Sequence, residues 1–536
     1  MKAIKYDKDL LWGFGIVLVF FLFIGVDGFN NIYYRILWYD DGYNATVAAN
    51  VFRHGAYRVS YPHDITFYNV ITTGAPAELP TALFYKLFGI SSFTSCLVPM
   101  LGGLLSLWVL WYLLHLCLAA RCTYSYTLSA ICSCLLILST EVYQMCSVNL
   151  WGETVCLFLI LSALACFHKH FSTGKARYAL LSGACITTAF LTKTAMIFIM
   201  FSWFGIILIE TLITQTMARQ SARNWCIGAL GGFAIFDGYK LLALGGLRPY
   251  IHWWKLEWQN MLSQTGELEA KPSLSAKIDY LDAIFNCNDY FSLLLIVLAA
   301  LFYFYLAYRN YHTRNSNHDN LTMSISGVTG ASLLVYYLFF GGAGLLDRKR
   351  LFVNVVCIKV LFVFFLCLLV INTLQMLRQR QGGLRIRAIV QTILIIVSGL
   401  LIFPVKFIQA NLSDYVQKET DYEYDQKLMF RFLDDVSKLP EDATIYVGCW
   451  WQSPQVTIYL DRKMVDMCEC TGDVANSYFI VGQWINGYSK ADVENRLNAD
   501  LQRVNHIEVD YSRTSCDSRQ DFDLFAIYRL IPRTDN

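Results

Sequence analysis

Leu10-Leu11-Trp12-Gly13-Phe14-Gly15-Ile16-Val17-Leu18-Val19-Phe20-Phe21-Leu22-Phe23-Ile24-Gly25-Val26 carries no charge, and Lys2, Lys5 and Lys8 stand just before it. As a helix such a run spans roughly 26 Å, most of a hydrocarbon core about 30 Å thick. No small-residue cleavage site follows, so the run reads as an uncleaved signal-anchor. Working outward, further apolar spans follow at 91–118, 124–140, 153–167, 178–192, 194–213, 225–245, 290–307, 322–345, 352–375 and 387–404. The sum is about 11 helices and a soluble tail of roughly 130 residues.

Composition agrees. Of 536 residues, 56% are hydrophobic, 15% aromatic and only 16% charged, and mean hydropathy is +0.41. Those values exclude a disordered chain, a collagen and a nucleic-acid binder with a basic face, and they argue against a purely soluble enzyme. Twelve of the 17 Cys lie in or beside apolar stretches, where a free thiol behaves as a small hydrophobe. The other five are Cys287, Cys449, Cys468, Cys470 and Cys516.

Charge gives the orientation. If the N-terminus is inside, the cytoplasmic pieces are 1–9, 119–123, 168–177, 214–224, 308–320 and 376–387. These carry 15 of the 43 Lys and Arg but only 3 of the 41 Asp and Glu. The positive-inside rule then predicts a cytoplasmic N-terminus and an external C-terminus. Three large segments fall outside. Residues 28–90 follow the first helix; 246–289, with His252, Trp253, Trp254 and Trp258, reads as interfacial; the third is the tail. In the tail Ala443–Gly448, Tyr478–Gly482, His506–Tyr511 and Phe522–Leu530 read as strands, with an amphipathic helix over Ser489–Arg503. The expected fold is therefore a polytopic all-α membrane bundle over 1–404 with a small extracytoplasmic α/β domain over 405–536.

The chemistry concentrates in the first external loop, Trp38-Tyr39-Asp40-Asp41-Gly42-Tyr43-Asn44 and then Ala48-Ala49-Asn50-Val51-Phe52-Arg53-His54-Gly55-Ala56-Tyr57. Val47, Ala48 and Val51 suggest a short helix on the membrane face. Adjacent carboxylates can divide their work, one taking a proton while its neighbour holds a substrate or metal; a solvated acidic turn is the plain alternative. Thr72-Thr73-Gly74-Ala75-Pro76 marks a turn before the chain re-enters the membrane. Glu153, in Asn149-Leu150-Trp151-Gly152-Glu153-Thr154, is an ionisable group at an outer helix end, either functional or a first-turn capping carboxylate. Lys193 interrupts a long apolar stretch, and Asp347-Arg348-Lys349-Arg350 sets three cations at an outer mouth, where an anionic ligand or headgroup anchoring accounts for them. Asp237 and Lys240, spaced i,i+3, read as a mutually neutralising pair inside a helix. Cys468-Glu469-Cys470 is too sparse for zinc.

The order and sidedness of these features resembles the GT-C superfamily of membrane glycosyltransferases. The carriers are an Asp-Asp loop, the "A…N…GAY" segment, a Gly/Pro turn, Gly152-Glu153, Leu191-Thr192-Lys193, an outer Arg cluster and an external α/β tail. The chain is similar to the protein O-mannosyltransferase and lipid A aminoarabinose transferase group, and to arabinofuranosyl and O-antigen glucosyl transferases. The resemblance implies Asp40 as base on an acceptor hydroxyl, Asp41 as the residue orienting acceptor or base, and Glu153 as a second acidic site. It implies Lys193, Arg348 and Arg350 around the phosphate of a polyprenyl-phosphate sugar. The implied reaction is inverting transfer to a glycan, lipid or protein acceptor. The chain departs from the aminoarabinose pattern in having Thr72-Thr73-Gly74 where a Lys is usual, and Tyr43 where a basic residue is expected. No cofactor is called for; a divalent metal on the two Asp and the Glu is left open. A transporter or flippase of lipid-linked sugars is the alternative; it would need mid-membrane charges and internal repeats, and only Asp237 and Lys240 fit. Asn44-Ala45-Thr46 is a glycosylation sequon beside the proposed base. A glycan there would block the site, which favours a bacterial inner membrane.

Overall fold

The structure is a computed structural model that describes residues 2–34, 36–37, 40–59, 73–140, 143–263, 273–285, 291–313, 318–340, 348–378, 391–393, 395–396, 399, 422–448, 454–470, 474–482, 488–513 and 522–533. The signal-anchor folds as α1 (Lys2–Tyr34). The acidic stretch forms α2 (Asp40–His54), and α3 (Ala75–Phe88) leads into α4 (Ser92–Leu118). Then come α5 (Ser125–Leu138), the short α6 (Tyr143–Val148), α7 (Glu153–Thr173) and α8 (Ala176–Thr192). A 3-10 turn, Thr194–Met196, opens α9 (Ile197–Leu208), which ends in a π turn, Ile209–Ile213. The rest of the bundle comprises α10 (Arg219–Ala243), α11 (Leu247–Ser263), α12 (Leu274–Phe285), α13 (Phe291–Thr313), α14 (His318–Phe340) and α15 (Arg348–Arg378).

The first ten expected spans each fall on a helix. Among the described residues seven helices are long and apolar enough to cross a membrane, with Ser125–Leu138 a shorter apolar one. The chain is therefore a multi-pass membrane protein, though the count of 11 is not reached among these residues; most of 387–404 lies outside them. Helix α8 lies along both α7 and α10, α4 packs on α7, and α14 on α15. The α8–α10 crossing is close because glycines meet backbone. A Cβ on Gly183 would sit 2.0 Å from the Trp225 carbonyl oxygen, and one on Gly228 1.9 Å from that of Leu180.

The tail supplies α16 (Tyr422–Ser437), β1 (Thr444–Val447), α17 (Pro454–Leu460), β2 (Met464–Asp466), β3 (Ser477–Val481), α18 (Lys490–Leu497), β4 (Ala499–Arg503) and β5 (Ala526–Pro532). The strand order is β2-β1-β3-β5-β4, with β1 parallel to β2 and β3, and β5 antiparallel to β3 and β4. Two sequence expectations fail here. The helix does not continue to Arg503: Asn498 turns left-handed at φ 48 and ends it, and 499–503 become β4 with Ala499 and Leu501 inward. His506–Tyr511 is no strand, although Ile507 still packs into the core beneath. Cys468 and Cys470 are unbridged; Cys287, Cys449 and Cys516 lie outside the described residues.

One hydrophobic cluster joins tail to loop. Ile36, Val47, Tyr57 and Ala75 share it with Leu428, Phe432, Val456, Ile480 and Phe525. Helix α2 is not an exposed surface helix: its small residues Ala45, Ala48 and Ala49 let α3 and α17 close over it, and all three are buried. Arg53 fastens this roof, donating to the carbonyls of Thr457 at 3.1 Å and Ile458 at 2.7 Å and facing the Asp461 carboxylate at 3.4 Å.

At the other end of the bundle, buried Asp9 on α1 caps α5. Its carboxylate accepts from the amides of Tyr126 and Thr127 at 3.0 and 3.1 Å, and from the Thr127 hydroxyl at 2.6 Å. Asp9→Ala should therefore lower stability by about 1–2 kcal/mol. Thermal unfolding in detergent reads it, and an unchanged midpoint would deny the cap any weight.

Candidate functional site

Between α6 and α7 the chain breaks helix at 149–152, and irregular buried backbone must find hydrogen bonds from somewhere. Side chains from three other segments supply them. Asp41 Oδ1 accepts from the Leu150 amide at 2.7 Å. Asn44 Nδ2 donates to the Leu150 carbonyl at 2.6 Å and to Thr73 Oγ1 at 3.0 Å. Thr73 Oγ1 in turn donates to the Trp151 carbonyl at 3.0 Å, which also accepts from Lys193 Nζ at 2.8 Å.

Backbone geometry closes the same knot. Gly152 caps α7 at φ 84, a left-handed conformation that a side chain resists, with Thr73 and Thr192 against it. The Gly74 amide donates to the Thr192 carbonyl at 2.8 Å, and a Cβ on Gly74 would lie 1.8 Å from the Leu191 carbonyl oxygen. The turn expected at 72–76 thus becomes the start of α3, with Gly74 at the cap and a Pro in the first turn. The four motifs singled out separately in the sequence meet here: Asp41 with Asn44, Thr73-Gly74, Trp151-Gly152-Glu153 and Thr192-Lys193.

Glu153 opens α7 and is 1% exposed; Lys193, at the C-cap of α8, places Nζ 3.0 Å from its Oε1. Removing either partner would leave an uncompensated buried charge, which is costly. Asp40 is the first residue of α2, while its side chain lies outside the described residues. Arg348 and Arg350 begin α15; their side chains, and the whole of Asp347, also lie outside. Asn44 of the sequon is fully buried and committed to Leu150 and Thr73, so no glycan fits on it in this fold.

A second layer beside this knot was not foreseen. Lys240 pairs with Asp237 at 3.2 Å, the expected i,i+3 contact. Its ammonium also lies 3.7 Å from the Trp253 ring centre and 5.6 Å from that of Tyr57. Trp253 is therefore turned inward and is buried. Glu257, also buried, accepts from the Thr194 hydroxyl, one residue beyond Lys193. Glu78 on α3 is fully buried against Tyr57, with Lys240 and Glu257 acting on it. Burial pushes the Glu78 carboxyl well above the ordinary carboxylate range; the neighbouring Tyr57 hydroxyl and Lys240 pull it back, and Glu257 pushes it further. Burial raises Glu257 as well, opposed by Thr194, Lys240 and Lys193. In sequence the signal was faint: single acids in otherwise uncharged or aromatic stretches.

Residues 78–237 match the family model for dolichyl-phosphate-mannose-protein mannosyltransferase. The structure is similar to that of ArnT from Cupriavidus metallidurans in the apo state, at 12% identity and a TM-score of 0.51, over 84% of this chain and 85% of that one. It is similar also to ArnT from the same organism bound to undecaprenyl phosphate, at 14% identity and a TM-score of 0.53, over 84% and 86%. No curated protein matches the chain at a significant level. The chain thus shares the fold of ArnT, and its residues 78–237 resemble a membrane mannosyltransferase family.

The raised Glu78 carboxyl has a thermodynamic consequence. Its folded pKa exceeds the unfolded one, so the folded state holds the extra proton. The associated stability is complete below the ordinary carboxylate range and is lost as pH rises through the folded value. Glu78→Gln, which mimics the protonated acid, should flatten the fall of melting temperature on the alkaline side of pH 5. Parallel slopes for wild type and variant would contradict it.

Proposed function

We propose that this GT-C chain transfers a sugar, hexosyl or pentosyl, from a polyprenyl-phosphate donor to an acceptor hydroxyl on the extracytoplasmic side of a bacterial inner membrane. The observation that carries the reading is the convergence of Asp41, Thr73, Glu153 and Lys193 on one helix break. That site belongs to a fold whose relative ArnT has been seen with undecaprenyl phosphate. The acceptor is a surface glycan, a lipid or a protein. Residues 1–404 form the catalytic module in this reading, and the tail from 405 shapes the acceptor side.

In the proposed step Asp40 takes the proton of the acceptor hydroxyl, whose oxygen attacks the anomeric carbon from the face opposite the phosphate. The bond from that carbon to the phosphate oxygen breaks, the electron pair leaves with the lipid phosphate, and configuration inverts. Asp41 is bound to the Leu150 amide, so its part is to hold α2, and with it Asp40, against the site. Lys193 offers the leaving phosphate a cation already desolvated beside Glu153, with Arg348 and Arg350 as further candidates. Such preorganised charge acts where the negative charge develops and needs no nucleotide-binding fold.

Radiolabelled polyprenyl-phosphate sugars presented to membranes test the reading. Wild type should move label into an acceptor, and Asp40→Asn should cut transfer by about 10²–10⁴-fold while remaining folded and inserted. Normal turnover by Asp40→Asn would remove it as base. Vectorial movement of the lipid-linked label with no transfer would instead make the protein a flippase. Orientation has its own check: protease added outside spheroplasts should digest the tail, and a protected tail would reverse the topology.

A further inference from the structure

About 22 Å along α7 from Glu153, near the end of the bundle where Asp9 caps α5, three helices bring together a thiol, an imidazole and a carboxylate. Cys117 stands in the last turn of α4, His168 on α7 and Asp319 in the first turn of α14. One ligand atom from each lies within 4.8 Å of the other two. Cys117 and His168 are buried, and the Asp319 side chain is 21% exposed.

Hydrogen bonding accounts for only part of the cluster. His168 Nε2 lies 3.0 Å from Asp319 Oδ1, and Arg121 Nη2 lies 3.5 Å from Asp319 Oδ2. The second imidazole nitrogen, Nδ1, is buried with no hydrogen-bond partner, a costly state inside a bundle. A soft sulfur, a borderline nitrogen and a hard oxygen on three separate helices make a donor set suited to zinc.

We propose that Cys117, His168 and Asp319 form a zinc site that clamps α4, α7 and α14 together. A thiolate and a carboxylate cancel the charge of the ion, so the occupied site is neutral and its burial is tolerable. Ligand atoms around tetrahedral zinc lie roughly 3.2–3.8 Å apart. The His168–Asp319 pair at 3.0 Å would open slightly and any wider pair, none beyond 4.8 Å, would close to reach that spacing. The part-exposed side at Asp319 leaves the fourth position to water. Arg121 keeps its place behind the carboxylate, donating also to Asn320 Oδ1 at 3.1 Å and resting 5.6 Å from the Phe364 ring centre. It would orient the ligand as outer partners do in metal sites. The site does not depend on the transferase reading, because none of its residues belongs to the helix break.

The test is metal content of the purified full-length protein in detergent, after equilibration with zinc and removal of the excess. Wild type should hold about one zinc per chain, and Cys117→Ser and His168→Gln should hold less than a tenth of that. Cobalt in place of zinc should give a thiolate-to-cobalt charge-transfer band in wild type and none in Cys117→Ser. Should either variant fail to fold, chelation of wild type decides: it should lower the melting temperature, and zinc should restore it. Folded wild type without stoichiometric zinc overturns the proposal. Zinc retained by both variants, or a melting temperature indifferent to chelation, overturns it equally.

Discussion

An interrupted helix inside a membrane protein has peptide groups with no partner of their own, and in the break at 149–152 those groups recruit the site. The Leu150 amide takes a carboxylate oxygen from α2, the Leu150 carbonyl an amide from α2, and the Trp151 carbonyl a hydroxyl and an ammonium from two further segments. An unmet backbone group in that setting costs about 1–3 kcal/mol, so each contact stabilises the break and fixes the segment it comes from. Helix α2 is placed by Asp41 and Asn44, the start of α3 by Thr73 and Gly74, and the end of α8 by Lys193. The position of Asp40 follows from these bonds, since it neighbours the residue that anchors the helix.

This division separates the two adjacent aspartates. A carboxylate that accepts a 2.7 Å hydrogen bond from a buried amide is stabilised as the anion and held in one rotamer, which suits an anchor. The tail works from the other side of α2. With Pro454 against Gly42, and Arg53 reaching the carbonyls of α17, the tail sheet and the bundle share one core around the acidic helix. A change in the tail is therefore felt at α2 through packing.

Much of this was legible in the sequence, and what was not has physical causes. Apolar spans predicted helices because the bilayer leaves a backbone few alternatives. Asp41, Gly74, Glu153 and Lys193 stood out as charges or glycines in apolar surroundings, and they do meet. Glu78 did not stand out, because an acid in the first turn of a helix is ordinarily a solvated partner of the helix dipole; only packing of α3 against α2 and α10 buries it. Trp253 was read as interfacial because tryptophans near membrane ends usually are, yet it faces Lys240. In the tail, residues 499–503 fit a helix repeat and an alternating strand equally well, and the left-handed turn at Asn498 decided between them.

The buried carboxyls bear on how the site receives an anion. Asp237, Glu78 and Glu257 surround one ammonium, Lys240, while Glu153 has its own in Lys193. Burial raises both the Glu78 and the Glu257 carboxyl, and for Glu78 the nearby Glu257 adds a smaller push, so each holds a proton more readily than a solvated carboxylate does. A carboxyl that keeps its proton more readily opposes an approaching phosphate less. Thr194, the residue after Lys193, donates to Glu257, so this buried layer backs the cation that the proposed donor would meet. The surplus of acids around the site is thus less adverse to an anionic donor, because burial favours the neutral forms of Glu78 and Glu257.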